Sequence, residues 1–153
     1  MGIRPKVRDR MKVSEIMTRD PETANLGTSI GDIAGMMRDL NVGIIPVVKD
    51  SGELAGVITD RDITIRVVAD GLNPFDNSVQ DFLSPNPISV SSSDSVETAR
   101  DLMSEHQIRR LLVVDDGKLV GILSIGDVAT KDRGDTEATG EALQDISEPT
   151  PEE

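Results

Sequence analysis

The 153-residue sequence predicts a mixed α/β (α+β) fold built from two β-α-β-β-α repeats that pack about a pseudo-twofold axis. Three observations carry this expectation. The chain matches itself at an offset of 66 and, after one deleted residue, 65. Each copy alternates short β-branched runs with helical apolar spacing. Each copy also turns the same corner from strand to helix, "GVITDRDI" (Gly56–Ile63) and "GILSIGDV" (Gly121–Val128).

The repeat is visible from its openings. Val13/Val79, Glu15/Asp81, Met17/Leu83, Thr18/Ser84, Pro21/Pro87 and Thr23/Ser89 agree in chemistry. At the far end Gly52/Gly117, Leu54/Leu119, Gly56/Gly121, Thr59/Ser124 and Asp62/Asp127 agree at the shorter offset. Two copies are too few for a solenoid, so the halves are expected to form one globular unit, Val13 to Lys131, in which each needs the other.

Within each copy the first helix is expected to open at Thr28 or Asp94, with Asp94 and Glu97 spaced as a capping box. Ile30, Ile33, Ala34 and Met37 make one apolar stripe, repeated by Val96, Ala99 and Met103. "GIIPVV" and "RLLVV" then read as strands, each joined by a turn ("KDSG", "DDG") to a second run, "ELAGVI" or "KLVGIL". The second helix starts at the quoted corner. Residues 1–12 read as an extension, 13–72 as the first repeat, 73–77 as a link around Pro74, 78–132 as the second repeat and 133–153 as an acidic tail.

Composition narrows the function. No run of eighteen apolar residues exists, which predicts no membrane span, and the basic start MGIRPKVRDRMK precedes no apolar stretch of a secretory leader. The absence of cysteine excludes disulfides, thiolate metal sites and thiol nucleophiles, and fits a cytoplasmic protein. Seven of the 28 acids lie from Gly134 onward, where there is no Lys or Arg; 21 acids against 16 bases remain. An acidic body repels nucleic-acid phosphates, so no nucleic-acid partner is expected. The tail has only Leu143 and Ile146 as large apolar groups, so disorder is expected, serving either solubility or docking to a partner. One histidine, His106, leaves little for acid–base catalysis or metal binding, and no catalytic motif appears.

The order of elements, the openings "IMTRDP" and "FLSPNP", and the two G-h-h-[ST]-x-x-D corners resemble a tandem pair of cystathionine β-synthase (CBS) domains, the Bateman module, in a free-standing form. The resemblance covers roughly Val13 to Lys131. It implies a regulatory module rather than an enzyme, ligands such as AMP, ATP or S-adenosylmethionine, and a homodimer. No cofactor is required and no metal is implied.

The corner has its own chemistry. A strand entering a helix leaves the first helical N–H groups unpartnered at the positive end of the dipole, a receptive place for phosphate. Thr59 and Ser124 offer a hydroxyl to phosphate, and Asp62 and Asp127, one turn inside, suit the two hydroxyls of ribose. Arg61 in the first copy, and Arg109 and Arg110 in the second, add positive charge; Thr23 and Ser89 are counted with them as ligand-binding residues. The same hydroxyl and carboxylate would also serve as a plain helix cap. The functional expectation is therefore an adenine-nucleotide sensor acting on a partner or on its own dimer. The alternative is an interaction protein without a working nucleotide site. Ile33, Met36, Met37 and Met103 are the apolar groups expected to face the dimer contact.

Overall fold

A computed structural model describes residues 11–131 and residue 146. The described elements are α1 (Val13–Ile16), β1 (Thr18–Arg19), β2 (Ala24–Asn25), α2 (Ile30–Leu40), β3 (Ile44–Val48), β4 (Leu54–Thr59) and α3 (Asp60–Asp62). A π-helical stretch (Ile63–Val68) and a 3₁₀ turn (Val79–Asp81) follow, then β5 (Ser89–Val90), α4 (Val96–His106), β6 (Arg110–Asp115), β7 (Lys118–Ser124) and α5 (Ile125–Lys131).

Helices α2 and α4 form where the apolar spacing says they should, and each buries one stripe: Ile30, Ile33 and Met37, or Val96, Ala99 and Met103. Ala34 departs from the expected stripe and is exposed. Both helices begin one residue later than the sequence suggests. Ser29 accepts from the Asp32 N–H (3.0 Å) and Ser95 from the Thr98 N–H (3.1 Å). Thr28 and Asp94 are used one step earlier, accepting from the N–H of Asn25 and of Ser91 to close the preceding turn. With Ser95 as cap, Glu97 falls at the second helical position, one short of the third that a capping box requires. Asn41 and Gln107 end the helices in the left-handed conformation, at φ 55° and 53°.

The chain divides into two compact units. Of the described residues, one comprises 11–21, 88–115, 120–131 and 146; the other 22–87 and 116–119. The sequence predicts a single unit in which the copies cover each other's sheets. Each unit instead joins the body of one copy to the opening of the other. In the first, the Val13 and Ser14 N–H groups donate to the carbonyls of Asp94 and Ser92, and Val96 N–H donates to Met11. In the second, Val79 and Gln80 donate to Thr28 and Leu26, and Ile30 donates to Asn77. Every donor and acceptor in the second set lies 66 residues from its counterpart in the first.

The sheets follow the same rule. One is ordered β1-β7-β6-β5, with β1 antiparallel to β7 (Thr18 opposite Ile122) and β5 parallel to β6 (Ser89 opposite Leu112). The other is ordered β2-β3-β4, with β2 parallel to β3 and β3 antiparallel to β4. Ser84 adds an antiparallel bridge to Val57, exchanging bonds of 2.8 and 3.0 Å. The hairpin between β6 and β7 turns on Asp116 and Gly117, both at positive φ (51° and 78°), as a tight two-residue hairpin turn demands. Residues 73–77 are tied to the start of α2, where the Gly31 N–H donates to the Pro74 carbonyl. At the end of β6, Asp115 accepts from the Ser92 hydroxyl, the Ser92 N–H (3.0 Å) and the Ser91 hydroxyl (2.9 Å). These bonds, the Ser92 hydroxyl's first, hold the Asp115 carboxyl below the usual carboxylate range.

Two cores result. Val13, Ile16, Met103, Leu111 and Leu123 fill one; Ile33, Ile45, Val47, Ile58 and Val79 fill the other. Ile33, Met37 and Met103 are therefore interior side chains and do not form a dimer surface. The exposed large apolar residues include Ile65, Val68, Leu72 and Phe75.

The repeated glycine of each corner strand now has a reason. A Cβ on Gly56 would collide with the Ser84 carbonyl oxygen, and one on Gly121 would meet Met17 Sδ at 2.6 Å and the Thr18 carbonyl oxygen at 2.9 Å. Gly56→Ala and Gly121→Ala should each lower stability by about 1–3 kcal/mol, the range for forcing atoms into packed space. Gly126→Ala, whose Cβ would meet only Ser124 Oγ at 3.6 Å, should be neutral or gain up to about 1 kcal/mol of helix propensity. Urea denaturation of the three variants checks the ranking, and equal effects would contradict it.

Candidate functional site

Each sheet brings one set of candidate residues to one end. In the second unit β3 starts there and β4 finishes there, since Ile44 lies opposite Thr59. Gly43, Thr59, Arg61 and Asp62 therefore cluster, while Thr23 stands apart: it precedes Ala24, which lies opposite Val47 on the side of β3 away from β4. In the first unit Ser89 opens β5, Arg109 precedes β6, Arg110 opens it, and Ser124 closes β7 ahead of Asp127. The candidate residues are thus collected in two sets, one per unit.

At each corner the hydroxyl and the carboxylate bond reciprocally to the other residue's backbone. Thr59 Oγ1 accepts from the Asp62 N–H (3.1 Å) while Asp62 Oδ2 accepts from the Thr59 N–H (3.0 Å). Ser124 Oγ and Asp127 Oδ2 repeat both bonds, each at 3.0 Å. This is a capping box with Asp in the place usually held by Glu. The first helical residue is anchored too: Asp60 N–H donates to the Gly43 carbonyl (2.9 Å) and Ile125 N–H to the Arg109 carbonyl (2.8 Å).

These bonds revise the expected anion site. In the first copy the N–H groups of Asp60, Arg61 and Asp62 are already taken, by the Gly43 carbonyl, Asp60 Oδ1 and Thr59 Oγ1. What remains toward a ligand is the Thr59 hydroxyl hydrogen, Asp62 Oδ1 and the exposed Arg61. In the second copy the Ser124 hydroxyl hydrogen remains, and Arg109, just before the adjoining strand, and Arg110, its first residue, are exposed. Asp127 Oδ1 lies 3.5 Å from Lys131 Nζ, which also donates to the Ile16 carbonyl.

One residue of consequence is not among the candidates that the sequence suggests. Asp60 is exposed at the first helical position, its carboxylate lying where a Cβ of Gly43 would stand, at 2.9 Å. It puts a negative charge where phosphate was expected. The second copy has the buried Ile125 at that position and Arg109 in place of Gly43. The signal was present as the swap of Gly43 and Asp60 for Arg109 and Ile125, but the pairing of the two positions is made only by the fold. Among the described residues no three His, Asp or Glu side chains gather into a metal site, and no helix is long and apolar enough to cross a membrane.

The model of the CBS domain family matches residues 13–69 and again 79–134. The chain belongs to the CBS domain family. As a tandem CBS pair it is 40% identical over 135 residues to the CBS domain-containing protein YhcV of Bacillus subtilis, covering 88% of this chain and 94% of that one. It is 38% identical over 138 residues to the uncharacterized protein YlbB of the same organism, covering 90% and 92%. Among solved structures it resembles CBSX2 in complex with AMP, with a TM-score of 0.68, 31% identity, and 77% and 92% of the two chains covered.

The capping geometry gives the Asp residues of this CBS pair a structural share. Asp62→Ala and Asp127→Ala should each cost about 0.5–2 kcal/mol, as loss of a cap does. Asp62→Asn and Asp127→Asn keep an acceptor for the capping N–H and should cost less. Melting temperatures of the four variants check this, and Asn as harmful as Ala would contradict it.

Proposed function

We propose that this CBS pair is a sensor of adenine nucleotides, AMP or ATP or an S-adenosyl ligand, whose binding changes its contact with a partner protein or with a second copy of itself. The observation that carries the reading is the second copy's corner. There a hydroxyl hydrogen and a carboxylate one turn apart sit beside two exposed arginines, with no acid at the first two helical positions. Asp127 meets the ribose hydroxyls as Lys131 gives up its 3.5 Å contact with Oδ1, Ser124 meets the phosphate, and Arg109 and Arg110 meet the remaining phosphate charge. Ser89 lies opposite Leu112, on the far side of β6 from β7. The AMP complex of CBSX2 supports the choice of ligand class.

The first copy's corner is the weaker site. Asp62 Oδ1 suits ribose and Arg61 suits phosphate, with the Thr59 hydroxyl beside them, but the Asp60 carboxylate opposes the phosphate charge. A conformational response follows if one state of the protein binds nucleotide better than another. A homodimer would draw on the exposed Ile65, Val68, Leu72 and Phe75 rather than on the interior methionines. The reading is of a regulator rather than of an enzyme. The second reading, an interaction protein with no nucleotide site, is favoured by the capping boxes, which are complete without ligand.

Calorimetric titration of AMP and adenosine separates the two. Arg109→Ala should weaken AMP and leave adenosine nearly unchanged. Asp127→Asn should weaken both by roughly ten- to a hundredfold, the loss of a charge-assisted bond of about 1.5–3 kcal/mol. Asp60→Asn should strengthen AMP binding at the weaker site. No heat from AMP, ATP or S-adenosylmethionine at millimolar concentration would leave the interaction reading standing.

A further inference from the structure

Helices α2 and α4 are the same element of the two copies, and they bury the same apolar stripe. One step round the helix they differ. On α2 the positions Ala34, Arg38 and Asn41 are exposed. Their counterparts 66 residues on, Arg100, Ser104 and Gln107, are buried or half-buried, Arg100 with only 6% of its surface exposed. A long charged side chain ordinarily carries its head to solvent, yet here the arginine is covered where the alanine is not. None of the three is without a partner. A buried guanidinium is tolerated only when anionic or carbonyl oxygens answer it.

A second observation points to the cover. Ile146 is helical, half-buried and packed against the core of the same unit, beside which Leu102 and Ile108 are also partly buried. The sequence around Ile146 is the most one-sided of the chain, with seven carboxylates and no base from Gly134 onward. Fourteen residues separate Lys131 from Ile146, a reach of up to about 50 Å when extended, so the segment can return to its own unit. The first copy has no such appendage, since its corner helix leads into the second repeat.

We infer that the Arg100–Ser104–Gln107 face of α4 is a docking surface and that its occupant is this chain's own acidic C-terminal segment. Ile146 is the apolar anchor, and the carboxylates of the segment answer Arg100. The surface has the chemistry to hold an acidic peptide with one aliphatic side chain. While the chain's own segment occupies it at high effective concentration, a competing peptide of that class is kept out. This inference goes beyond nucleotide binding and does not depend on it.

The test uses the full chain and a Glu-specific protease at limiting concentration, following cleavage after Glu137 and Glu141. Ile146→Asp, a change at a half-buried position, should raise the cleavage rate about tenfold over the wild type. Added salt should speed cleavage of the wild type more than that of Arg100→Gln, because only the former has the ion contact to screen. Arg100→Lys, which keeps the charge, should lie between wild type and Arg100→Gln. Equal cleavage of wild type and Ile146→Asp would overturn the inference. So would protection that rises with protein concentration, since the occupant would then come from a second copy.

Discussion

Backbone laid directly against backbone at a glycine is the constraint on which the rest of this fold depends. Gly56 and Gly121 leave room for the chain at Ser84 and at Met17–Thr18 to lie on the corner strand. That contact completes an antiparallel edge and buries Val79 or Val13 at the bottom of the adjoining core. A side chain there would push the opening segment away. The loop ahead of α2 or α4 would then lose the N–H donors of residues 79 and 80, or 13 and 14. A unit of about sixty residues buries too little surface to lose such a segment cheaply. Because each opening belongs in sequence to the other copy, neither copy holds a complete core alone.

The same contact fixes where the corner sits. A strand held on its edge by the opening segment ends at Thr59 or Ser124 with its hydroxyl already aimed at the third helical N–H, and the Asp completes the box. Cap and candidate ligand site are therefore one structure. The capping atoms are used in folding, while the hydroxyl hydrogen and, in the first copy, the second carboxylate oxygen are left over. Divergence between the copies lies in the neighbours, where Gly43 and Asp60 in one stand against Arg109 and Ile125 in the other. Identical scaffolds thus carry different charge, so the two corners need not respond to the same ligand.

Much of this was legible in the sequence because it is periodic or local. The i, i+3, i+7 stripes gave α2 and α4, the β-branched runs gave both hairpins, and the self-match gave the duplication. Cap positions slipped by one residue because Thr28-Ser29 and Asp94-Ser95 each present two good caps, and the choice depends on the turn before them. Ala34 was misread because a small apolar residue at the edge of a stripe has no preference strong enough to decide its side. The exchange of openings left no local trace, since hydrogen bonds between residues 13 and 94 do not alter any periodicity. The same holds for Asp60 and Gly43, whose proximity is a product of strand register. The extension and tail fall outside the described residues, apart from Met11, Lys12 and Ile146.

Native-state amide hydrogen exchange, followed residue by residue in low denaturant, tests the composite units most directly. Residues that open together exchange with one free energy. The Val79 and Ser84 amides should share the exchange free energy of Val47 and Ile58, and the Val13 and Ser14 amides that of Leu111 and Leu123. Val13 and Ser14 opening together with Val47 and Ile58, while Val79 and Ser84 open with Leu111 and Leu123, would mean that each copy keeps its own opening, and would contradict the account.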